Sequence, residues 1–195
     1  MNAGDHLYLF LPLAILFSIG CNKEEDPPAP EQPVEQPEVF TTVKVVFTDT
    51  EPIGGVYETF ELIHKDLDGA GGNDPVIVAD TIPAGRYYNV SINLRNESVW
   101  PAVDLTSQVQ AEATQHQFFF EYTDLALTIS GSDLDANGKP LGLTFNVYTH
   151  APSEGQLSIT LRHDPDKDAE GVEAGDITNA GGNTDLEVEI PVILL

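Results

Sequence analysis

From Val39 onward the chain consists of short runs of β-branched and aromatic residues separated by Gly, Asp, Asn and Pro. Within several runs apolar and polar residues alternate, so that Leu157, Ile159 and Leu161 would share one face of a strand. A period of two predicts half-buried strands rather than helices. The runs with this character are 41–48, 56–63, 76–79, 87–94, 117–122, 125–130, 141–149, 156–162 and 186–194.

Short strands with one buried face and tight turns predict an all-β fold. We expect an antiparallel β-sandwich of about eight to nine strands, with an immunoglobulin-like topology as the leading candidate. One segment departs from the pattern, because apolar residues recur at helical spacing within 104–114, where Asp104 or Thr106 could be the N-cap. We therefore expect one short helical crossover between the sheets. The Gly-, Asp- and Asn-rich stretch 164–184 is expected to be a long loop.

The first twenty residues differ in composition, since 7–17 reads LYLFLPLAILF. This run is too short for a membrane-spanning helix, which needs about 20 residues, and fits the apolar region of a signal peptide. Small or apolar residues at 18–20 precede Cys21, the only cysteine of the chain, as at a lipoprotein cleavage site. We expect residues 1–20 to be removed and Cys21 to carry the lipid. Ser18 and a start without Lys or Arg leave an ordinary secretory signal as the alternative.

Residues 21–38 are rich in Pro and Glu and have almost nothing apolar to bury, which predicts an extended stalk. The acidic stretch NKEED directly after Cys21 resembles the export signal of Bacteroidota lipoproteins. That resemblance implies an outer-membrane lipoprotein exposed at the cell surface, and a periplasm-facing anchor is the alternative. The chain thus divides into a signal peptide at 1–20, a lipid-anchored stalk at 21–38 and a β-sandwich domain at 39–195.

The formal net charge of the chain is −24, and its pI is about 4.1. Nucleic acid and anionic lipid surfaces would be repelled, so neither is expected as a partner, and the lipid anchor alone is expected to hold the chain at the membrane. Metal cations and basic protein surfaces are compatible partners. Acidity also serves simply to keep a secreted surface soluble.

Asp133, Asp135, Asn137 and Gly138 reproduce the first half of an EF-hand loop, with oxygen ligands at positions one, three and five. The twelfth position, where calcium loops carry a bidentate Glu, is Thr144. An Asn-Gly pair between two alternating runs is also a strong hairpin signal. Calcium binding and turn formation therefore both remain open for this loop.

Histidines lie at the ends of predicted strands, beside acidic loops: His64, His116, His150 and His163. Zinc and copper favour imidazole combined with carboxylate, so His116, His163 and His64 are candidate metal ligands. No HxH or HExxH spacing brings any two of them together, and a solvent-facing strand-end role is the alternative.

Six segments extend over about 41–193 and read DLDGAGGNDPVI, LRNESVWPAVDLTSQV, HQFFF, DLDANGKPLGL, LRHDPDK and GDITNAGGNTDLEVEIPV. Together they resemble a group of small uncharacterised Bacteroidota lipoproteins, loosely described as having a periplasmic-binding fold. That fold is a larger α/β architecture, whereas this sequence has no βαβ alternation. Members of the group look like companions of TonB-dependent outer-membrane receptors. The resemblance implies capture of a scarce ligand such as a metal or metal chelate, with His116 and His163 as the first ligand candidates.

The leading hypothesis is a binding lipoprotein that assists uptake by an outer-membrane receptor. The alternative is an immunoglobulin-like adhesive or structural module that binds protein or glycan. An enzyme is not expected, because the sequence has no G-x-S-x-G elbow, no cysteine nucleophile and no phosphate-binding Gly loop.

Geometry separates these hypotheses. Ligand capture requires His116 and His163 to lie within about 6 Å of each other or of a carboxylate cluster, close enough for direct or water-bridged ligation. Adhesion instead predicts exposed aromatic residues, of which Tyr57, Tyr87, Tyr88 and Trp100 are the candidates. Trp100 itself is expected to pack in the core near the helical crossover.

Overall fold

The computed structural model describes residues 39–52, 54–69 and 71–195. The predicted signal peptide, the predicted lipid-attachment residue Cys21 and the stalk lie outside the described residues. Strands of the described part are β1 Thr42–Asp49, β2 Thr59–Lys65, β3 Val76–Ala79, β4 Thr81–Ile82, β5 Tyr87–Asn96, β6 Val103–Asp104, β7 His116–Thr123, β8 Leu127–Leu134, β9 Pro140–Thr149, β10 Ser153–His163 and β11 Asn183–Leu194.

The strands form two sheets, and the predicted all-β sandwich is confirmed. The first sheet has the order β3-β2-β1-β5-β9-β8, with β6 added beside β5. The second has the order β4-β11-β10-β7. Neighbouring strands are antiparallel throughout, except that the two-residue β4 pairs with β11 in parallel. Strands β7, β10 and β11 are therefore adjacent, although a long loop separates the last two in sequence.

The core lies between the sheets and is built from the inward side chains of the alternating runs. Leu157, Ile159 and Leu161 of β10 are buried together, as their period of two predicts. Opposite them, β1 and β5 contribute Val45 and Ile92, which are 0% and 2% exposed. Burying one such side chain stabilises the fold by roughly 1.5–3 kcal/mol, so these strands hold the sandwich together without a disulfide.

The predicted helical crossover is present as α1, Thr106–Ala111, which connects β6 of the first sheet to β7 of the second. Its N-cap is Leu105 rather than Asp104 or Thr106. The Asp104 carboxylate instead accepts a hydrogen bond from the Thr106 N–H at 2.9 Å. The Thr106 hydroxyl accepts another from the N–H of Leu94 in β5, also at 2.9 Å. These contacts tie the start of the helix to the first sheet.

Two aromatic predictions were wrong. Trp100 is 95% exposed and does not pack in the core, and the buried residues near the crossover are Leu105 and Val109 instead. Tyr88 is 1% exposed, since it has the same strand parity as the buried residues of β5. Tyr57, Tyr87 and Trp100 are exposed, so three of the four aromatic residues that the adhesive alternative requires at the surface lie there.

The predicted loop after β10 contains two short 3-10 helices, Val172–Ala174 and Ile177–Asn179, and ends where β11 begins at Asn183. It covers the outer face of β7, where Phe119 packs with Val172 and Ala180 in a second small core. The described residues contain no helix that is long and apolar enough to cross a membrane.

Candidate metal centre

Two of the predicted histidines meet at one end of the second sheet. His116 is the first residue of β7 and His163 is the last residue of β10, and the two are direct partners across the strand pair. The Nδ1 atom of His163 lies 3.0 Å from the Nε2 atom of His116. Their separation is well inside the 6 Å limit that ligand capture requires.

A carboxylate completes the group from the other side of β10. Arg162 pairs with Thr184 and Leu161 pairs with Leu186, so Asp185 is an extra residue in a β-bulge of β11. A bulge redirects the side chain that it displaces from the ladder. The Oδ2 atom of Asp185 lies 3.3 Å from His116 Nε2 and 3.3 Å from His163 Nδ1.

The triangle formed by these three atoms has the size of a metal-ligand set. For ligands bound to zinc at about 2.0–2.1 Å, neighbouring corners of a tetrahedron are about 3.3–3.4 Å apart. The observed edges of 3.0, 3.3 and 3.3 Å need only small movements to fit it. Among the described residues, His116, His163 and Asp185 are the group of this kind that could hold a metal ion.

The remaining ring nitrogen of each histidine faces an oxygen atom. His116 Nδ1 lies 3.2 Å from the carbonyl oxygen of Glu112, and a carbonyl can only accept, so Nδ1 carries the proton. The lone pair of Nε2 is thereby directed at the triangle. His163 Nε2 lies 3.6 Å from the Asp164 carboxylate. An oxygen acceptor behind a ligating histidine, such as the Glu112 carbonyl behind His116, is typical of metal sites, because it fixes the tautomer and the ring orientation. The 3.6 Å separation at His163 is longer than a hydrogen bond.

The site is buried on one side and open on the other. The His116 side chain is 0% exposed, whereas those of His163 and Asp185 are 28% and 21% exposed. The Oδ2 atom of Asp185 is buried and accepts no hydrogen bond of normal geometry within the described residues. A buried carboxylate oxygen without such a bond is costly, and a bound cation would offset that cost.

The third candidate ligand, His64, is not part of this group. It belongs to β2 of the first sheet, where it pairs with Val43 and Ile77. Burial lowers the pKa of His64, and the nearby Asp66 carboxylate partly opposes that shift. His150 is also elsewhere, with its Nε2 atom 2.8 Å from the Thr128 hydroxyl.

The predicted calcium loop between β8 and β9 is a hairpin whose carboxylates are used by protein donors. The Asp133 Oδ1 atom accepts hydrogen bonds from the N–H groups of Gly142 and Thr144 at 2.9 and 3.1 Å. The Asp135 Oδ1 atom accepts them from Asn137 and Lys139 at 2.8 and 2.9 Å. Asn137 therefore contributes its backbone N–H rather than a side-chain ligand.

The other oxygen of Asp135 accepts a hydrogen bond from the buried ammonium group of Lys167 at 2.9 Å. Burial alone would raise the pKa of Asp135, but the Lys139 N–H and the Lys167 ammonium group outweigh it and hold that pKa below its ordinary value. The Lys167 ammonium group thus lies where a metal cation bound to this carboxylate oxygen would lie. Asp133, Asp135 and Asn137 form a turn held by protein donors, which favours the turn alternative over calcium binding at this loop.

Asp185 and Lys167 were not identified from the sequence. Strict alternation in β11 groups Asp185 with Glu187 and Glu189, and only the bulge turns it toward the histidines. Lys167 lies within a polar loop. Its burial depends on hydrogen bonds to the Asp135 carboxylate and the Ala113 carbonyl, which the pattern of apolar residues in the sequence does not predict.

Comparison of the chain with protein-family models, curated proteins and solved structures finds no match. Its function is therefore inferred from the site itself.

Proposed function

We propose that this chain is the binding domain of a lipid-anchored outer-membrane protein that captures a divalent transition-metal ion at His116, His163 and Asp185. The observation that carries the proposal is the triangle of two imidazole nitrogens and one carboxylate oxygen with edges of 3.0–3.3 Å. It is supported by the Glu112 carbonyl, which fixes the tautomer of the most buried ligand.

Ligand chemistry selects zinc or copper. Imidazole together with carboxylate suits both ions, whereas calcium and magnesium require sites built almost entirely of oxygen. Three protein ligands leave at least one coordination position for water or for a ligand from another molecule. The strongly negative charge of the chain also favours the approach of cations.

Three-ligand centres with an open position also occur in zinc hydrolases. Binding without catalysis is favoured here because a substrate needs a concave site beside the metal. Four clefts in the described part of the chain have volumes of 300–570 Å³, and none of these four is lined by the three ligands. We therefore propose capture of the ion, rather than catalysis, as the role of this centre.

The sequence supports the proposed place of action. Residues 18–21 and the acidic stretch after Cys21 support lipid attachment and display on the outer membrane. In that setting, the open coordination position would allow transfer of the ion to a TonB-dependent receptor, the partner implied by the resemblance to Bacteroidota lipoproteins. The exposed edge formed by His163 and Asp185 is where such a transfer would take place.

Equilibrium dialysis of the purified protein against zinc or copper, with metal content measured by mass spectrometry, tests the proposal. We expect one ion per chain, and we expect His116→Ala and His163→Ala to abolish stoichiometric uptake. His150→Ala is the matched control, since it removes a strand-end histidine outside the group and should leave uptake unchanged. Absence of uptake by the unaltered protein, or equal loss in the control, would contradict the proposal.

A further inference from the structure

The outer face of the first sheet carries rows of neutral polar side chains. Thr48, Asn89 and Asn146 are successive partners across β1, β5 and β9, and Ser91 and Thr144 are partners in the next row. These five residues are called the polar face. Their side chains point away from the core, because the residues between them in each strand are buried.

The polar face forms a cleft of 460 Å³ with Ser132 and Asp133 at its rim. This volume is within the range of about 300–1,000 Å³ that is typical of small-molecule sites. In the part of the chain that the structure describes, none of the five side chains has a hydrogen-bond partner in the protein. Two amides and three hydroxyls are therefore available to a ligand, each able to donate and to accept.

A tyrosine platform stands at one end of this cleft. Tyr87 and Tyr148 are partners in the row next to Asn89 and Asn146. Their ring centroids are 4.3 Å apart, with an angle of 31° between the planes. Tyr87 is 57% exposed, so its ring presents an apolar surface to solvent. Exposed aromatic surface beside a polar cleft is typical of a binding site.

We propose that the polar face and the tyrosine platform bind a neutral oligosaccharide. Sugar hydroxyls donate and accept in equal measure and would pair with the amides and hydroxyls of the cleft, while the apolar face of a sugar ring would pack on Tyr87. The lining of the cleft has no cationic side chain, and its one carboxylate, Asp133, already binds backbone N–H groups through Oδ1. An anionic ligand would be repelled by a chain of net charge −24.

A peptide is a poorer fit to this face than a sugar. Strands β1, β5 and β9 each have a neighbour on both sides, so their backbone groups are engaged in ladders and offer no edge to an added strand. The cleft lies on the first sheet and the metal centre on the second, so the two sites are separable by mutation. This proposal goes beyond metal capture and does not depend on it.

Titration of the ¹⁵N-labelled protein with neutral hexasaccharides of glucose, mannose and xylose, followed by NMR, tests the proposal. We expect at least one of them to bind, with shift changes confined to β5, β9 and their neighbours. Tyr87→Ala and the double variant Asn89→Ala with Asn146→Ala should each weaken binding by about tenfold or more. These positions are exposed, and the amide signals of the second sheet should stay in place in the spectrum of each variant, which shows that the fold persists.

Tyr122→Ala is the matched control, because Tyr122 is an exposed tyrosine of β7, which belongs to the second sheet. It should leave sugar binding unchanged. No binding of any hexasaccharide in the panel would overturn the proposal. Equal binding by the Asn89 and Asn146 double variant, or equal binding of hexagalacturonate, which is anionic, would overturn it as well.

Discussion

At the scale of single residues, Asp185 is the one whose position is hardest to explain by folding alone. One of its oxygens is buried, faces two ring nitrogens at 3.3 Å and accepts no hydrogen bond of normal geometry within the described residues. Leaving a buried polar group unsatisfied costs about 1–3 kcal/mol, and more when it is charged. Metal binding would relieve this penalty and so be favoured by it, since the ion supplies the missing positive charge.

Asp185→Asn should therefore separate metal binding from folding. In the presence of a chelator, the free energy of unfolding should be unchanged or slightly higher, because a neutral amide replaces a buried charge. With zinc at about 100 times the dissociation constant, the unaltered protein should gain about 2.7 kcal/mol and the variant far less. Urea unfolding with and without zinc measures both. Glu187→Gln, in the same strand, is the control and should retain the full gain. If zinc stabilises Asp185→Asn as much as it stabilises the unaltered protein, Asp185 is not a ligand.

Lys167 is the residue that holds the Asp135 turn in place. Its ammonium group donates to the Ala113 carbonyl, the Pro140 carbonyl and the Asp135 carboxylate at 2.8–2.9 Å, so all three N–H groups are used. Burial lowers the pKa of Lys167, and the Asp135 carboxylate opposes that shift. The contacts connect the loop after β10 to the hairpin between β8 and β9.

Lys167→Met should lower the free energy of unfolding by about 3–5 kcal/mol, because it leaves Asp135 buried without its cation. Lys139→Met is the matched comparison, since the partners of Lys139, Asp168 and Glu173, are exposed. That change should cost no more than about 1 kcal/mol. Chemical denaturation compares the two, and a similar small loss in both variants would show that the buried pair is not structural.

At the scale of elements, β7 is the strand on which the site depends, because it is covered on both faces. Phe118 packs in the main core, whereas Phe119 packs with Val172 and Ala180 under the loop after β10. The same loop touches the end of β10, since a Cβ atom on Gly182 would clash with the His163 carbonyl oxygen. A change in the conformation of this loop at Gly182 would therefore displace the backbone of the metal-ligand candidate His163.

Gly182→Ala should disturb the metal site, and Gly181→Ala should not. Both glycines have positive φ, +68° and +59°, so both substitutions carry backbone strain of about 1–2 kcal/mol. Only the Gly182 variant adds a clash with the backbone at His163, because nothing lies within 4 Å of a Cβ on Gly181. We expect a larger loss of stability and weaker zinc binding for Gly182→Ala, measured by unfolding and dialysis. Equal behaviour of the two variants would contradict this connection.

Most of the fold could be predicted at this scale, since alternation identifies a strand wherever a run is long enough to show it. The two-residue strands β4 and β6 are too short for any period and were not predicted. The site was only partly predictable. The strand ends suggested His116 and His163. These residues are 47 positions apart in the sequence, and their contact depends on the register between β7 and β10, which the sequence alone does not give. Asp185 depends on a bulge, which leaves no signal in the pattern of apolar residues.

At the scale of the whole molecule, negative charge dominates, and several carboxylates are stabilised by specific contacts in the fold. Four have pKa values held below the ordinary 3.8 of Asp or 4.5 of Glu by hydrogen-bond donors. They are Asp68 with the Asn73 N–H and side chain, Glu97 with Lys65, Asp176 with the Thr178 hydroxyl and N–H, and Asp135, where donors outweigh the effect of burial.

These shifts predict loss of stability in acid. A carboxylate whose pKa is lower in the folded than in the unfolded state binds fewer protons when folded, so its contribution is complete above the unfolded pKa and is lost as the pH falls through the folded value. The urea midpoint should therefore fall as the pH decreases below about 4. Measurement at pH 5, 4 and 3 in about 0.5 M salt screens the long-range repulsion of the other acidic groups. A midpoint that stays constant from pH 5 to pH 3 would contradict the prediction.

The metal centre is the central claim, and anomalous diffraction from crystals grown with zinc tests it most directly. We predict one strong zinc peak bonded to His116 Nε2, His163 Nδ1 and Asp185 Oδ2 at about 2.0–2.2 Å, with solvent in the remaining position. The Asp133–Asp135 turn should carry no peak, because Lys167 and backbone N–H groups use its oxygens. An empty triangle, or zinc bound only at His64 or at the acidic loops, would contradict the account.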